Sequence, residues 1–562
     1  MARREFSEER RRRLTHRALP AAAIAALVLV LVIALAGGGP SPAVETARAF
    51  AAAWQRSDQR AMYALLTPEA QRRHRLAEFA AAYRHAAATA TATGIVAGKP
   101  RDARGGAALP VTVRTRVFGS IRARLQLPVK GSRVEWSPRL VFPGLRPGER
   151  LTRRSVPPRR AAILARDGRT IVSGPATARV TGVAPGGIAG TMAAPPIAAQ
   201  RAAAYARGFP DGWPVGRGGL ERILEDRVAG SPGGTLLAGA RPIARAAPRP
   251  APPARTTIDL KIQAAADTAL AGRLGGVAAL DARTGAVRAL AGVAFSAPQP
   301  PGSTFKMVTL AAALQNRVAK PSTPFPVASY VLLDGVKLQN ANGETCGGSV
   351  GEAFIVSCNS VYAPLGVRVG ARRLVGMAQS MGWDRPPTLP GALPSTIPPA
   401  KAITSPLELG STAIGQGRVL ATPLQMAMVA QTIAAKGVQH PPSVVPEGAP
   451  RARRVLSART ARTIARLMVG VVARGTGVSA ALGPGVVAGK TGTAELESTT
   501  GPSAKDLTGN QQSHTDAWFA SFAPARRPRI VVAVMLVRAG AGGDTAAPTA
   551  RQVLQVALAG GR

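Results

Sequence analysis

The sequence predicts a multidomain α+β protein, and three observations point to it. An uncharged run follows an arginine-rich N-terminus. Helical periodicity gives way to strand alternation before residue 151. Two alternating strands near residue 280 then lead into a turn broken by proline and glycine that carries Ser303. At 562 residues the chain is too long for one ordinary domain.

Residues 1–17 are rich in arginine, and residues 18–39 run uncharged for long enough to cross a hydrocarbon core. The reading is a cytoplasmic tail followed by a transmembrane anchor, with the arginine side held inside. A cleaved signal peptide is the alternative, because Ala34-Leu35-Ala36 has the small-x-small form of a cleavage site. Either way the remainder works outside the cytoplasm.

Residues 41–151 form the next block. Ala47, Phe50, Ala51 and Trp54 share one helical face, and Asp58 stands in the break before a second short helix. Val111, Val113 and Val117, then Ile121, Leu125 and Val129, alternate about a turn at Gly119-Ser120 and predict a hairpin. Residues 152–238 read as short strands and loops with one glycine-framed helix and no titratable cluster, a structural pedestal. Residues 239–255 read as an extended, mobile Pro- and Ala-rich linker, and 256–562 as the chemical domain.

Net charge is +43, yet only ten of the 72 basic residues are lysines, and the arginines are scattered rather than gathered in runs, apart from the N-terminus. Compositional drift explains that better than nucleic-acid binding, which is set aside. The chain has two cysteines, Cys346 and Cys358, readable as two buried thiols or as a disulfide. Two glycines after Cys346 and an oxidising compartment make a disulfide the expectation.

The chemistry gathers in three short motifs. Pro300-Pro301-Gly302-Ser303-Thr304-Phe305-Lys306 places a serine at a helix start with a lysine one turn along. Burial and the helix N-terminus would both disfavour the ammonium form, so Lys306 could take the proton from Ser303. Alone, the pattern is as well read as a helix cap beside a solvated lysine. It is followed by Ser357-Cys358-Asn359 and by Lys490-Thr491-Gly492-Thr493, and the three in this order form a recognised catalytic set. Gly483 to Thr491 imitates a phosphate-binding loop, but Pro484 stands where that loop needs glycine.

With these motifs the region from Thr256 onward resembles the class B penicillin-binding proteins. Ile414–Gly437 and Asp516–Val537 resemble that family's helix behind the cleft and its two closing strands. The resemblance implies a five-stranded antiparallel sheet between helical layers. It implies Ser303 as nucleophile, Lys306 as its base and Ser357 as proton relay. Asn359 would orient the lysine and the substrate amide, and Lys490 would supply the counter-charge to a substrate carboxylate. Thr491, Gly492 and Thr493 would bind substrate along a strand, the glycine admitting its backbone. The oxyanion would sit on the backbone N–H groups of Ser303 and Thr493. More loosely, residues 41–151 resemble the nuclear-transport-factor-like cone of some of these proteins.

The activity implied by the resemblance is that of a serine-type peptidoglycan D,D-transpeptidase, which cross-links stem peptides and is acylated by β-lactams. It would need no metal or cofactor, and its partners would be division or elongation proteins at the cell membrane. A D,D-carboxypeptidase, a β-lactam sensor, a β-lactamase and an idle scaffold are the rivals. Glu352 and Glu495, the acids nearest the motifs, have no spacing that suits a hydrolytic water.

Overall fold

A computed structural model of the chain describes residues 40–182, 186–495 and 514–560. The expected tail and anchor, residues 1–39, lie outside the described residues. Among the described residues no helix is long and apolar enough to cross a membrane. The chain divides into two compact units. One comprises the residues up to Pro158 with Pro195–Trp213 and Ser231–Arg249; the other comprises Arg159–Ala194, Pro214–Gly230 and everything from Pro250 on.

In the first unit Ser41 caps the helix Pro42–Gln55, accepting from the Val44 N–H, and proline fills the first helical position. That helix buries Ala47, Phe50, Ala51 and Trp54, as its spacing predicts. Asp58 caps Gln59–Ala64 through the Ala61 N–H at 2.9 Å. The helix Leu76–Ala90 adds Phe79 and Tyr83, whose rings meet Trp136 and Trp54 edge to face or tilted. The hairpin forms as expected: Gly106–Thr115 pairs antiparallel with Ser120–Lys130, and Ala92–Ala97 joins it on the far side. Its inward set is Leu109, Val111, Val113, Leu125 and Leu127.

The expected linker is not free chain. Arg241–Ala246 is a strand paired antiparallel with Gly233–Ala238, which in turn pairs with Leu151–Val156. Proline composition argued against this because proline has no N–H to give a ladder. The strand lies at the sheet edge, and its register slips between Leu236 and Leu237 where Pro242 pairs, so the bulge and the edge absorb the missing donor. In the other unit Ala254–Arg255 pairs in parallel with Ile163–Leu164.

The pedestal stretch does hold a titratable cluster. Glu221, 1% exposed, takes Arg160 on one carboxylate oxygen and Arg179 on the other, each at 2.6 Å, and Arg160 also reaches Glu225 at 2.8 Å. The helix expected between the glycines breaks at Leu224 into Gly219–Ile223 and Glu225–Val228. Arg160 Nη2 donates to the Glu221 carbonyl at 3.1 Å, the acceptor that an unbroken helix would give to the Glu225 N–H.

The five-stranded sheet of the second unit runs in the order Val287–Gly292, Gly275–Asp281, Ile530–Leu536, Thr515–Ala523, Ala488–Glu495, antiparallel throughout. Its central strands are buried on both faces and run apolar without a break, so Gly275–Asp281 lacks the one-sided alternation expected of it. Alternate residues serve different cores. Leu280, Phe522, Ala533 and Met535 pack with Met307, Leu310 and Met426. Val277, Phe519, Val532 and Val534 pack with Leu270, Val553 and Leu554. Helices therefore cover both faces, and the third motif occupies the sheet edge.

Glu221→Ala should destabilise this unit by about 3–5 kcal/mol, because it leaves two buried guanidinium groups without their shared carboxylate. Denaturant unfolding, with hydrogen exchange read over residues 160–173, checks this; a change below about 1 kcal/mol would contradict it.

Candidate active site

The chain enters the site through a tight turn. Gly302–Phe305 is a single 3-10 turn, and the α-helix begins only at Lys306. Ser303 therefore lies in the turn and not at the expected helix cap. No side-chain cap bond forms there; Thr304 holds the turn, its hydroxyl donating to Pro301 O at 2.6 Å.

Close backbone approach fixes where that turn sits. Gly302 has φ +51°, and a Cβ on it would lie 2.5 Å from Thr493 O. Its N–H donates to Gly415 O at 2.9 Å, and Gly415, at φ +79°, comes so near that a Cβ there would lie 2.1 Å from Gly302 O. Gly492 completes the contact, since a Cβ on it would meet Pro301 O at 2.8 Å. Gly492 was expected to admit substrate backbone; in this structure it makes room for the turn that carries Ser303. Only residues without a Cβ allow this approach.

The second motif stands between the helices Val350–Ile355 and Asn359–Val369. Ser357 bridges them at φ +63°, in the left-handed region that residues other than glycine adopt uncommonly. Cys358 is buried and forms the expected disulfide with Cys346, their Cα atoms 5.8 Å apart. Asn340, which sequence reasoning missed, anchors the neighbourhood. Its amide group donates to Ala328 O and Glu344 O at 2.8 Å each, and its carbonyl oxygen accepts from the Ser360 N–H at 2.8 Å.

Four of the expected residues form one hydrogen-bonded group. Lys306 Nζ donates to Ser357 O at 2.5 Å and to Asn359 Oδ1 at 2.7 Å, and lies 3.4 Å from Ser357 Oγ. Lys490 Nζ donates to the same Ser357 Oγ at 2.8 Å and to Thr491 O at 3.1 Å. Asn359 donates its Nδ2 to Gln339 O at 2.9 Å, and its oxygen accepts from the lysine. The Ser303 hydroxyl, half-buried, takes no part in this network.

Both lysines are fully buried. Burial pushes Lys306 well below the ordinary lysine range, and the neighbouring Lys490 pushes it further. Burial alone lowers Lys490 to about 7. A neutral Lys306 has two N–H groups, enough for Ser357 O and Asn359 Oδ1, and its lone pair remains to accept a proton. Lys490, expected to meet a substrate carboxylate, has its nitrogen on Ser357 Oγ in this structure.

Thr491 and Thr493 project from the edge strand opposite to Lys490. The Thr491 hydroxyl bonds to that of Thr476, and the Thr493 hydroxyl accepts from the Gly542 N–H at 3.3 Å. Thr476 was also missed; it lies between two glycines just past the helix Ala458–Arg474. The Ser303 N–H stands at the start of a helical turn, where no intrahelical acceptor exists, and Thr493 lies on an edge strand. The approach of Gly302 to Thr493 brings these two backbones side by side. Of the acids considered, exposed Glu352 is held bidentate by Arg474 at 2.7 Å. Among the described residues no group of side chains could hold a metal ion.

Residues 275–555 match the penicillin binding protein transpeptidase domain family. The peptidoglycan D,D-transpeptidase PbpA of Mycobacterium tuberculosis is 37% identical over 305 residues, 48% of this chain and 56% of that protein. The chain thus spans about half the length of the curated relatives it matches. Among solved structures, the D,D-transpeptidase domain of a peptidoglycan glycosyltransferase from Eggerthella lenta is 28% identical with TM-score 0.57, covering 72% of this chain and 99% of that one. Penicillin-binding protein A from M. tuberculosis, as its ceftriaxone acyl-enzyme complex, is 28% identical with TM-score 0.55, covering 71% and 98%.

Replacing Lys490 by methionine should raise the pKa of Lys306, because it removes the second cause of its depression while keeping the site filled. Lysine Cε chemical shifts followed against pH in selectively 13C-labelled protein report this directly. An unmoved or lowered Lys306 would contradict the coupling.

Proposed function

The chain belongs to the penicillin-binding protein transpeptidase family, and on that premise we propose that it is a serine D,D-transpeptidase cross-linking peptidoglycan stem peptides. One observation carries this reading: Ser357 Oγ stands between two buried lysine nitrogens, beside a nucleophile turn welded to the sheet edge.

Ser303 gives its proton to neutral Lys306 and attacks the carbonyl of the penultimate D-alanine. The oxyanion is met by the N–H groups of Ser303 and Thr493. The C–N bond to the terminal D-alanine breaks as the proton passes from Lys306 through Ser357 to the leaving amine. A stem-peptide amine then attacks the ester and restores the serine. Lys490 acts by charge through Ser357 and on the substrate carboxylate, with the Thr491 and Thr493 hydroxyls on the same strand as the polar contacts for it.

β-Lactams are inhibitors on this reading because they acylate the same serine. The segment 18–39 anchors the chain in the cell membrane with the catalytic unit outside, where division or elongation proteins are its partners. The helices-then-sheet order of residues 41–151 supports a nuclear-transport-factor-like domain. A lactamase is disfavoured because Glu352 is paired with Arg474 rather than left to orient a hydrolytic water.

Labelling with fluorescent penicillin, followed by mass measurement of the modified peptide, tests the assignment. The peptide should contain Ser303, and Ser303→Ala should label at background while unfolding as wild type does, since no capping bond is lost. Undiminished labelling of that variant ends the assignment.

Acylation should fall as pH drops through the lowered pKa of Lys306, since only its neutral form accepts a proton. In the Lys490→Met variant that acid limb should move to higher pH. Stopped-flow acylation across pH reads both shifts, and a pH-independent rate would remove Lys306 as base. Nitrocefin should give a stoichiometric burst and slow turnover; sustained rapid hydrolysis would identify a lactamase instead.

A further inference from the structure

Outside the catalytic group, the second unit holds a cavity of about 160 Å³ beside the helix Pro423–Ala434. Arg385 and Arg453 line it, and no carboxylate does. Arg453 is braced from behind, donating to Ser380 O and, at 2.8 Å, to Gln439 Oε1. Arg385 is exposed and has no hydrogen bond or ion pair among the described residues. Burial lowers the pKa of Arg453, and the like charge of Arg385 lowers it further. Two guanidinium groups on one wall with no acid between them are complementary to an anion.

The opposite need is also present. Gln425, 6% exposed, donates its Nε2 to Met381 O at 2.9 Å, which turns its carbonyl oxygen the other way. Gly382, at φ +120°, leaves that oxygen uncovered, for a Cβ there would lie 2.9 Å from it. A carbonyl oxygen so placed is an acceptor for a ligand N–H. Leu424 and Met428 complete the wall with apolar surface.

We propose that this cavity binds a single α-amino-acid unit, with its carboxylate between Arg385 and Arg453 and its N–H on Gln425 Oε1. The volume suits a group of that size and is below the usual range for drug-sized ligands. The same chemistry is offered by a free amino acid and by the C-terminal residue of a peptide. The site is built into the support of the nucleophile turn. Gly382 leads directly into Trp383, whose ring meets Phe305 edge to face at 5.4 Å, and Thr422 follows Ala421, which bridges Gln299.

The test uses the full chain in detergent with its catalytic serine blocked by benzylpenicillin, so that binding in the active site does not register. D-alanine, L-leucine and N-acetyl-D-alanine are titrated by calorimetry. Saturable binding is expected, weakened about ten-fold or more by Arg385→Ala, a surface change with no partner to lose. Binding of the free amino acids alone assigns the site to a metabolite; binding of the N-acetyl compound assigns it to a peptide end. No saturable binding by any of the three, or binding unchanged in Arg385→Ala, overturns the proposal. A chain that penicillin does not block counts against the transpeptidase reading alone. The titration then proceeds unblocked, where the Arg385→Ala difference still decides it.

Discussion

The site depends on one backbone contact, the approach of Gly302 to Thr493 on the sheet edge. Ser303 on a helical turn and Thr493 on a strand belong to different layers of the fold, and ordinary helix-on-sheet packing would hold them a side chain apart. Glycines at 302, 415 and 492 remove that side chain at three points. The apolar layers then work as the frame that holds the contact. Met307 and Leu310, immediately past the turn, are fully buried against the sheet, so the turn cannot lift without opening a core.

Electrostatics depends on that frame. Burying one lysine without a carboxylate is costly, and burying two around a single hydroxyl is costlier. The fold meets the cost with oxygens rather than acids: Ser357 O, Ser357 Oγ, Asn359 Oδ1 and Thr491 O satisfy the nitrogens without fixing their charge. A carboxylate in their place would stabilise the ammonium form and remove the base. The aromatic rings of Tyr362 and Phe354 lie 5.7 and 5.6 Å from the two nitrogens and supply the apolar boundary.

Much of this was legible in the sequence, because the catalytic residues are adjacent in short motifs and the strands alternate. The hairpin about Gly119, the closing strands after Asp516 and the cysteine pair could be read from local pattern and chemistry. Features created by distant pairing could not. Arg160 breaks a helix some sixty residues away by capturing one carbonyl, and nothing in the helix's own periodicity signals it. Asn340 and Thr476 are single polar residues in loops whose value appears only when Ser360 and Thr491 arrive beside them. Proline content suggested free chain at 239–255, although an edge strand with a bulge tolerates proline. For Gly492, sequence identified the glycine but not Pro301, a neighbour it makes room for.

The tie between Cys346 and Cys358 adds an order of events to the fold. It closes a loop on the middle residue of the second motif, so it constrains Ser357 and Asn359 from the adjoining peptide, and a loop of this length is worth about 3 kcal/mol to the folded state. Thiols in a reducing compartment stay open. A chain folding there would hold its sheet and helices but keep the relay serine on a looser tether. Where a chain of this kind folds before it meets an oxidising space, closing this bond is the last step in assembling the site.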